Sequence, residues 1–217
     1  MRDLLRKRLQ LVQQRTSHIL SFKNLVSRNL GFQMPSNEIK KLTEDDVEEM
    51  FKEEHLTLAG QANIATMHFL KGRITEIERA VLKKAKLRDE YNKLLTVPGI
   101  GKILALTIML ETGDITRFRE VGNYVSYCRC VASNRISNGK SKGEGNRKNG
   151  NKYLSWAYVE AANYAIRLYP YVRRYYQRKT AKTNNIVAIK AVSHKLARAS
   201  YYVIKEQEVF NPKKAFG

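Results

Sequence analysis

Cysteine is nearly absent: there are two in 217 residues, Cys128 and Cys130, one residue apart. That separation is too short for an ordinary disulfide, and a zinc site would need further ligands that the scattered His18, His55, His68 and His194 do not supply. Reduced thiols packed on a helix are therefore expected. Long apolar runs are missing too, and the opening Met1-Arg2-Asp3-Leu4-Leu5-Arg6-Lys7-Arg8 leads into no secretion-signal core. The expectation is a soluble cytoplasmic chain with no membrane partner. Acidic groups are scarce, and they concentrate between Glu38 and Glu54 on what reads as a solvated face. Two-metal nucleases need carboxylates clustered on rigid elements, so no metal site and no cofactor are expected in this chain.

What is present is positive charge. Lys and Arg number 40 against 20 Asp and Glu, with a sequence pI of about 10.0. The charge is uneven: residues 119–217 hold 20 basic and 5 acidic side chains (net +15), whereas residues 1–118 hold 20 and 15 (net +5). Such an excess is the electrostatic footprint of a nucleic-acid binder, with the C-terminal half facing phosphate.

Apolar residues recur at helical spacing from Asp3 to Leu30, with Gly31 as the stop, and again from Thr57 to Lys93. Between them Thr43-Glu44-Asp45-Asp46 reads as a capped helix start. Two long amphipathic helices of this kind form an antiparallel hairpin whose apolar faces need cover, which points to a homo-oligomer. The fold class expected is all-α: a helical hairpin over residues 1–93, then a small helical domain over residues 94–217 that contains a helix-hairpin-helix.

That motif is Leu95-Thr96-Val97-Pro98-Gly99-Ile100-Gly101-Lys102, followed by an apolar helix from Ile103 to Glu111. Pro98 stops one helix, and Gly99 and Gly101 let the chain turn tightly and offer amides to a phosphate, with Lys102 assisting. A short buried helix, Val121 to Val131, comes next. Residues 133–152 hold almost no apolar side chains and read as a mobile loop suited to a phosphate backbone, or equally as a solvated linker. Two helices, Tyr153 to Gln177 and Asn184 to Glu206, complete the chain, with most tyrosines in packing roles. Among nucleophiles, Ser137 stands amid Arg135, Lys140 and Lys142, cations able to stabilise a phosphorane.

Several of these pieces occur in a familiar order: Leu95-x-x-Pro98-Gly99-Ile100-Gly101, Gly113-Asp114-Ile115-Thr116-Arg117-Phe118, Ser137-Asn138-Gly139, Gly145 to Leu154, and Val159-Glu160-Ala161-Ala162. In this the chain resembles the transposases of the insertion-sequence 110/116/902 family from about Asp3 to its end. The resemblance implies a bacterial, nucleoid-associated enzyme of DNA transposition. It further implies a RuvC-like nuclease domain holding Mg²⁺ ahead of the helices, a composite site between protomers, and in some members a guide RNA. No counterpart of that nuclease domain is found in this sequence. The family's serine falls on Ser137, with Ser133 and Ser141 as the alternatives in loop register. Arg129-Cys130-Val131-Ala132 stands where the family usually has Gly-Leu-x-Pro. Phosphates would be held by Gly99, Gly101, Lys102, Arg135, Lys140, Lys142, Arg147, Lys148 and Lys152. A non-catalytic DNA- or RNA-binding module is the competing reading, and a purely structural coiled coil is a third. His194-Lys195-Leu196-Ala197-Arg198 departs from the tyrosine recombinases, which place the Arg three residues after the His rather than four.

Overall fold

The computed structural model describes the chain except residues 86–87, 132–133 and 145–148, and except the side chains of residues 85, 134–136, 141, 142 and 144. It divides into two compact units, Asp3–Val81 and Leu82–Gly217.

In the first unit, α1 (Arg2–Leu30) ends at Gly31, as its pattern implies. Two short helices follow, α2 (Ser36–Ile39) and α3 (Glu44–Met50), and then α4 (Glu54–Ala85). Thr43 caps α3 reciprocally: its hydroxyl accepts from the Asp46 amide at 3.2 Å, and the Thr43 amide donates to the Asp46 carboxylate at 2.7 Å. Those bonds hold the exposed Asp46 carboxyl below its ordinary pKa. The two long helices run antiparallel. Arg8 near the start of α1 donates to Glu78 near the end of α4 at 2.6 Å, and His18 meets Asn63 at 3.1 Å. Phe22, Val26, Ile39, Val47, Phe51, Ile64 and Met67 form the core, and α2 and α3 supply Ile39 and Val47 to close it. Burial of such side chains contributes about 1.5–3 kcal/mol each, which a bare pair of helices would lack.

The second long helix is shorter than its periodicity suggests. Arg88 is extended, and a new helix α5 (Asp89–Leu94) begins with Asp89 and Glu90 at its positive end. No glycine or proline marks this break in the sequence.

The second unit continues with α6 (Lys102–Thr112), a 3-10 turn (Ile115–Arg117) and α7 (Val121–Tyr127). Next come β1 (Asn134–Ser137) and β2 (Lys140–Glu144), then α8 (Lys152–Leu168), α9 (Pro170–Thr180), α10 (Asn185–Lys205) and α11 (Pro212–Phe216). The scaffold is helical, as expected, but the stretch read as a loop contains a two-stranded antiparallel ribbon. The helix read as continuous from Tyr153 to Gln177 is also two helices, because Pro170 cannot donate to the preceding turn and opens α9 instead.

The six residues Leu104 to Met109 of α6 are all buried, so this helix is sheathed by its neighbours. On α8 the buried face is Leu154, Ala157, Tyr158, Ala161, Ala162 and Ala165, and small side chains there permit close packing. Tyr124, Tyr158 and Tyr201 lie at the centre. The Tyr124 and Tyr158 hydroxyls are 2.7 Å apart, Tyr124 also meets the Thr112 hydroxyl at 3.0 Å, and Tyr201 donates to the Phe118 carbonyl at 3.1 Å. Burial pushes the Tyr124 and Tyr158 phenols well above their ordinary pKa, which keeps them neutral donors. Cys128 and Cys130 are free and buried, and burial raises both thiols, Cys130 to about 12. They are inert packing groups.

Candidate nucleic-acid interface

The tip of the ribbon is set by an Asn-Gly pair. Asn138 (φ 52°) and Gly139 (φ 71°) both have positive φ, the requirement of a type I′ turn, whose twist matches that of paired strands. Ser137 and Lys140 flank this turn as cross-strand partners, and both side chains are exposed. Ser137 is thus the last residue of β1, at the far end of a two-stranded finger. Ser141 pairs with Ile136 one step further from the tip, and Ser133 lies outside the described residues.

The root of the finger is built from polar groups. Asn151 caps α8 by accepting from the amides of Tyr153 (2.8 Å) and Leu154 (3.1 Å), while its own amide nitrogen donates to the buried Glu111 carboxylate at 2.7 Å. Its backbone amide donates to the Tyr127 carbonyl at 2.7 Å, and the Cys130 amide donates to the Val125 carbonyl at 3.0 Å. Both ends of the segment that carries the ribbon are therefore fastened to α7. Arg129 donates to the Gly150 carbonyl at 2.9 Å across the same gap. Beside it the Arg117 guanidinium lies 4.4 Å from the Phe118 ring centroid and 4.6 Å from that of Tyr127. Burial opposes ionisation of the Tyr127 phenol, but hydrogen bonds from Arg117 and Asn151 outweigh it and hold its pKa below the usual tyrosine value.

The remaining candidates separate into two groups. Asn151 at the start of α8 touches Glu111 at the end of α6, whereas Gly99, just before α6, packs on Ala161 and Ala165 of α8. The two helices are therefore antiparallel. Lys152, the first residue of α8, stands at the ribbon end, and Gly101 and Lys102 stand at the other, roughly 14 Å away along α6. Gly99 has φ +76°, and a side chain there would collide with the Ala161 carbonyl, so this glycine serves the packing of the turn on α8. Gly101 has open space around it and begins α6, with exposed Lys102 following. The side chains of Arg135 and Lys142, and residues Arg147 and Lys148 entirely, lie outside the described residues. Among the described residues no three His, Cys, Asp or Glu side chains group as a metal site requires, so the Mg²⁺ of the resemblance finds no ligand set there. No described helix is long and apolar enough to cross a membrane.

Sequence comparison covers this architecture from α5 through most of α9: residues 91–177 match the family model described as Transposase IS116/IS110/IS902 family. Through this region the chain is similar to the transposases of that family. Two curated relatives agree. A "Probable family 20 transposase" of Pseudomonas aeruginosa is 24% identical over 151 residues, and the "Transposase for insertion sequence element IS1328" of Yersinia enterocolitica is 30% identical over 148. Each alignment covers 66% of this chain and 44% of the relative, so the chain spans less than half the length of these transposases. The matched region contains the whole ribbon, its root and the glycine turn before α6. What sequence reading missed was the ribbon and the Glu111–Asn151 pair. The Asn138-Gly139 dipeptide is the signal for the first. Nothing local signals the second, because its partners are 40 residues apart.

Proposed function

We propose that the second unit is the DNA-handling domain of an insertion-sequence transposase, with Ser137 as its nucleophile. The observation that carries this reading is the placement of Ser137: exposed, at the tip of a rooted finger, directly opposite Lys140, within the transposase-family region. In the proposed reaction the Ser137 hydroxyl oxygen attacks a DNA phosphorus and gives up its proton. The bond from phosphorus to one sugar oxygen breaks, and that oxygen leaves as a hydroxyl. A hydroxyl from another strand then attacks the seryl phosphate and releases the serine, so cleavage and rejoining conserve the number of phosphoester bonds. Lys140, Lys152 and, from outside the described residues, Arg147 and Lys148 would neutralise phosphates beside the tip. Self-association through the first unit is part of the proposal, supported by the exposed Leu20, Leu58 and Phe69 on its long helices. A guide RNA would use the same cationic surface.

Incubation with junction DNA of the parent element, with and without a full-length relative, tests the chemistry. A protein–DNA adduct stable to denaturation is expected, and Ser137→Ala should abolish it. An adduct that survives Ser137→Ala but not Ser141→Ala would move the nucleophile, and tight binding without any adduct would make the unit a non-catalytic binding module.

Binding has a separate signature. Each phosphate neutralised lowers the slope of log affinity against log salt by about 0.9 for duplex DNA. Removing the cations at Lys140 and Lys152 together (both to Gln) should therefore flatten the slope by about 2. An unchanged slope in a titration from 50 to 200 mM salt, roughly the range in which such contacts dominate, would remove the ribbon end from the interface.

A further inference from the structure

Beyond the ribbon, the second unit holds a cavity of about 490 Å³ between α10 and the C-terminal segment, lined in part by Tyr175, His194, Arg198, Tyr202, Glu206 and Phe210. That volume falls in the roughly 300–1,000 Å³ range of small-ligand sites. Its outer wall is held in place. Lys195 donates to the Ala215 carbonyl at 2.6 Å, Phe216 is buried with its ring 5.6 Å from that of Tyr175, and the Phe210 amide donates to the Thr96 hydroxyl at 3.0 Å.

The lining mixes three chemistries. Arg198 is exposed and makes no ion pair or hydrogen bond among the described residues. Tyr202, 40% exposed, turns away from the helical core although the periodicity of α10 assigns it to the buried stripe. Glu206 and Glu208 add carboxylates that would repel a bare phosphate but accept hydrogen bonds from exocyclic amines of a base. Cation for phosphate, aromatic face for stacking and acceptor for a base edge together describe a nucleotide.

The position of the cavity extends the argument. Lys190, His194, Arg198 and Tyr202 recur every four residues and so form one ridge of α10, about 18 Å long. At its upper end Lys190 is close enough to act electrostatically on the Cys130 thiol, which places it at the root of the ribbon. At its lower end lies the cavity, tied through Phe210 to the turn that precedes α6. The ridge therefore joins the two groups of basic residues that the antiparallel α6 and α8 hold apart.

Resting on the nucleic-acid reading above, we infer that this cavity receives one unpaired nucleotide of a DNA or RNA strand that runs along α10 from the ribbon. Its base stacks against Tyr202 or Tyr175, and its phosphate lies against Arg198 and His194. Duplex is disfavoured, because a paired base must first be unpaired and unstacked, whereas a base of a single strand need not be.

Four probes of 12 nucleotides decide the matter with the whole chain: single-stranded DNA, single-stranded RNA, a sugar-phosphate strand without bases, and duplex DNA. Arg198→Ala and Tyr202→Ala, both at exposed positions, should leave the thermal melt unchanged and weaken single-strand binding at least tenfold, with duplex affinity unaltered. The base-free strand should bind weakly and be indifferent to Tyr202→Ala. The ratio of DNA to RNA affinity assigns the sugar. Unchanged single-strand affinity in both variants, or equal affinity for the base-free strand, overturns the inference and leaves an anionic-ligand patch only. Lys140→Glu separates this result from failure of the ribbon reading. If it spares duplex affinity while the cavity variants weaken single-strand binding, the ribbon reading falls and the cavity stands; if it weakens duplex binding while the cavity variants do nothing, the reverse holds.

Discussion

Replacing Asn151 by Ala should cost the second unit about 2–5 kcal/mol, because two losses fall on one residue. The first is the cap of α8: the side-chain oxygen satisfies the amides of Tyr153 and Leu154, and removal of such a cap costs about 0.5–2 kcal/mol. The second is the 2.7 Å bond to Glu111, a carboxylate only 5% exposed, and a hydrogen bond to a charged group contributes about 1.5–3 kcal/mol. For a domain of this size the sum lowers the melting temperature by roughly 10 °C. Asn151→Asp separates the two. Aspartate caps a helix as well as asparagine does, but it offers Glu111 a second negative charge where an amide donor stood. That variant should be destabilised at neutral pH and recover as pH falls, because two buried carboxylates side by side favour uptake of a proton that one of them then donates to the other. Urea midpoints at pH 7 and pH 4.5 read both effects. If Asn151→Ala shifts stability by less than about 0.5 kcal/mol, the root of the ribbon is not held as described.

The functional consequence goes through the same residue. Because its backbone amide also binds the Tyr127 carbonyl, Asn151 fixes one of the two strands' exits from the core, and the Cys130 amide fixes the other. With the flanking chain fixed at both ends and the strands paired, fewer placements of Ser137 are open to it than to a loop of the same composition, which would pay more conformational entropy each time it met a strand.

Parts of this arrangement were legible in the residues themselves. Helical periodicity with a closing Gly31 and a Thr43 cap gave α1 and α3 correctly, since both signals act within a few residues of the element they bound. The break between α4 and α5 was not legible, because it carries no glycine or proline and the apolar spacing runs on through it. Within α10, helical spacing puts Ile186 and Tyr202 on the apolar stripe, yet Ile186 is 76% exposed and Tyr202 lines a cavity. A ridge can be read from one sequence, but the neighbours that cover or leave it uncovered are set by tertiary packing. The candidate site shows the same division. Ser137 and Lys140 could be named from local chemistry, and the ribbon between them was written in Asn138-Gly139. That Lys102 and Lys152 would stand at opposite ends of a helix pair depended on α6 and α8 being antiparallel, which no local pattern states.

The two glycines of the turn before α6 should respond to very different extents to the same substitution. Gly99→Ala is expected to destabilise the second unit by about 2–5 kcal/mol, from a positive φ that costs a side chain roughly 1–2 kcal/mol and from overpacking at about 1–3. The collision is with the backbone of Ala161 and Ala165, inside a helix whose own hydrogen bonds keep it from yielding. Gly101 has φ −86° and nothing within reach of an added methyl group, so Gly101→Ala should cost about 1 kcal/mol or less, the difference between two N-cap residues. Thermal and urea melts of the two variants measure this contrast directly. Equal effects would mean that the turn does not sit on α8. With Gly101→Ala still folded, its duplex-DNA affinity becomes a clean reading of whether the amides at the start of α6 touch phosphate. If they do, affinity falls while the melt holds; if both are unchanged, the turn serves packing alone, and the cationic end marked by Lys102 is not part of the DNA path.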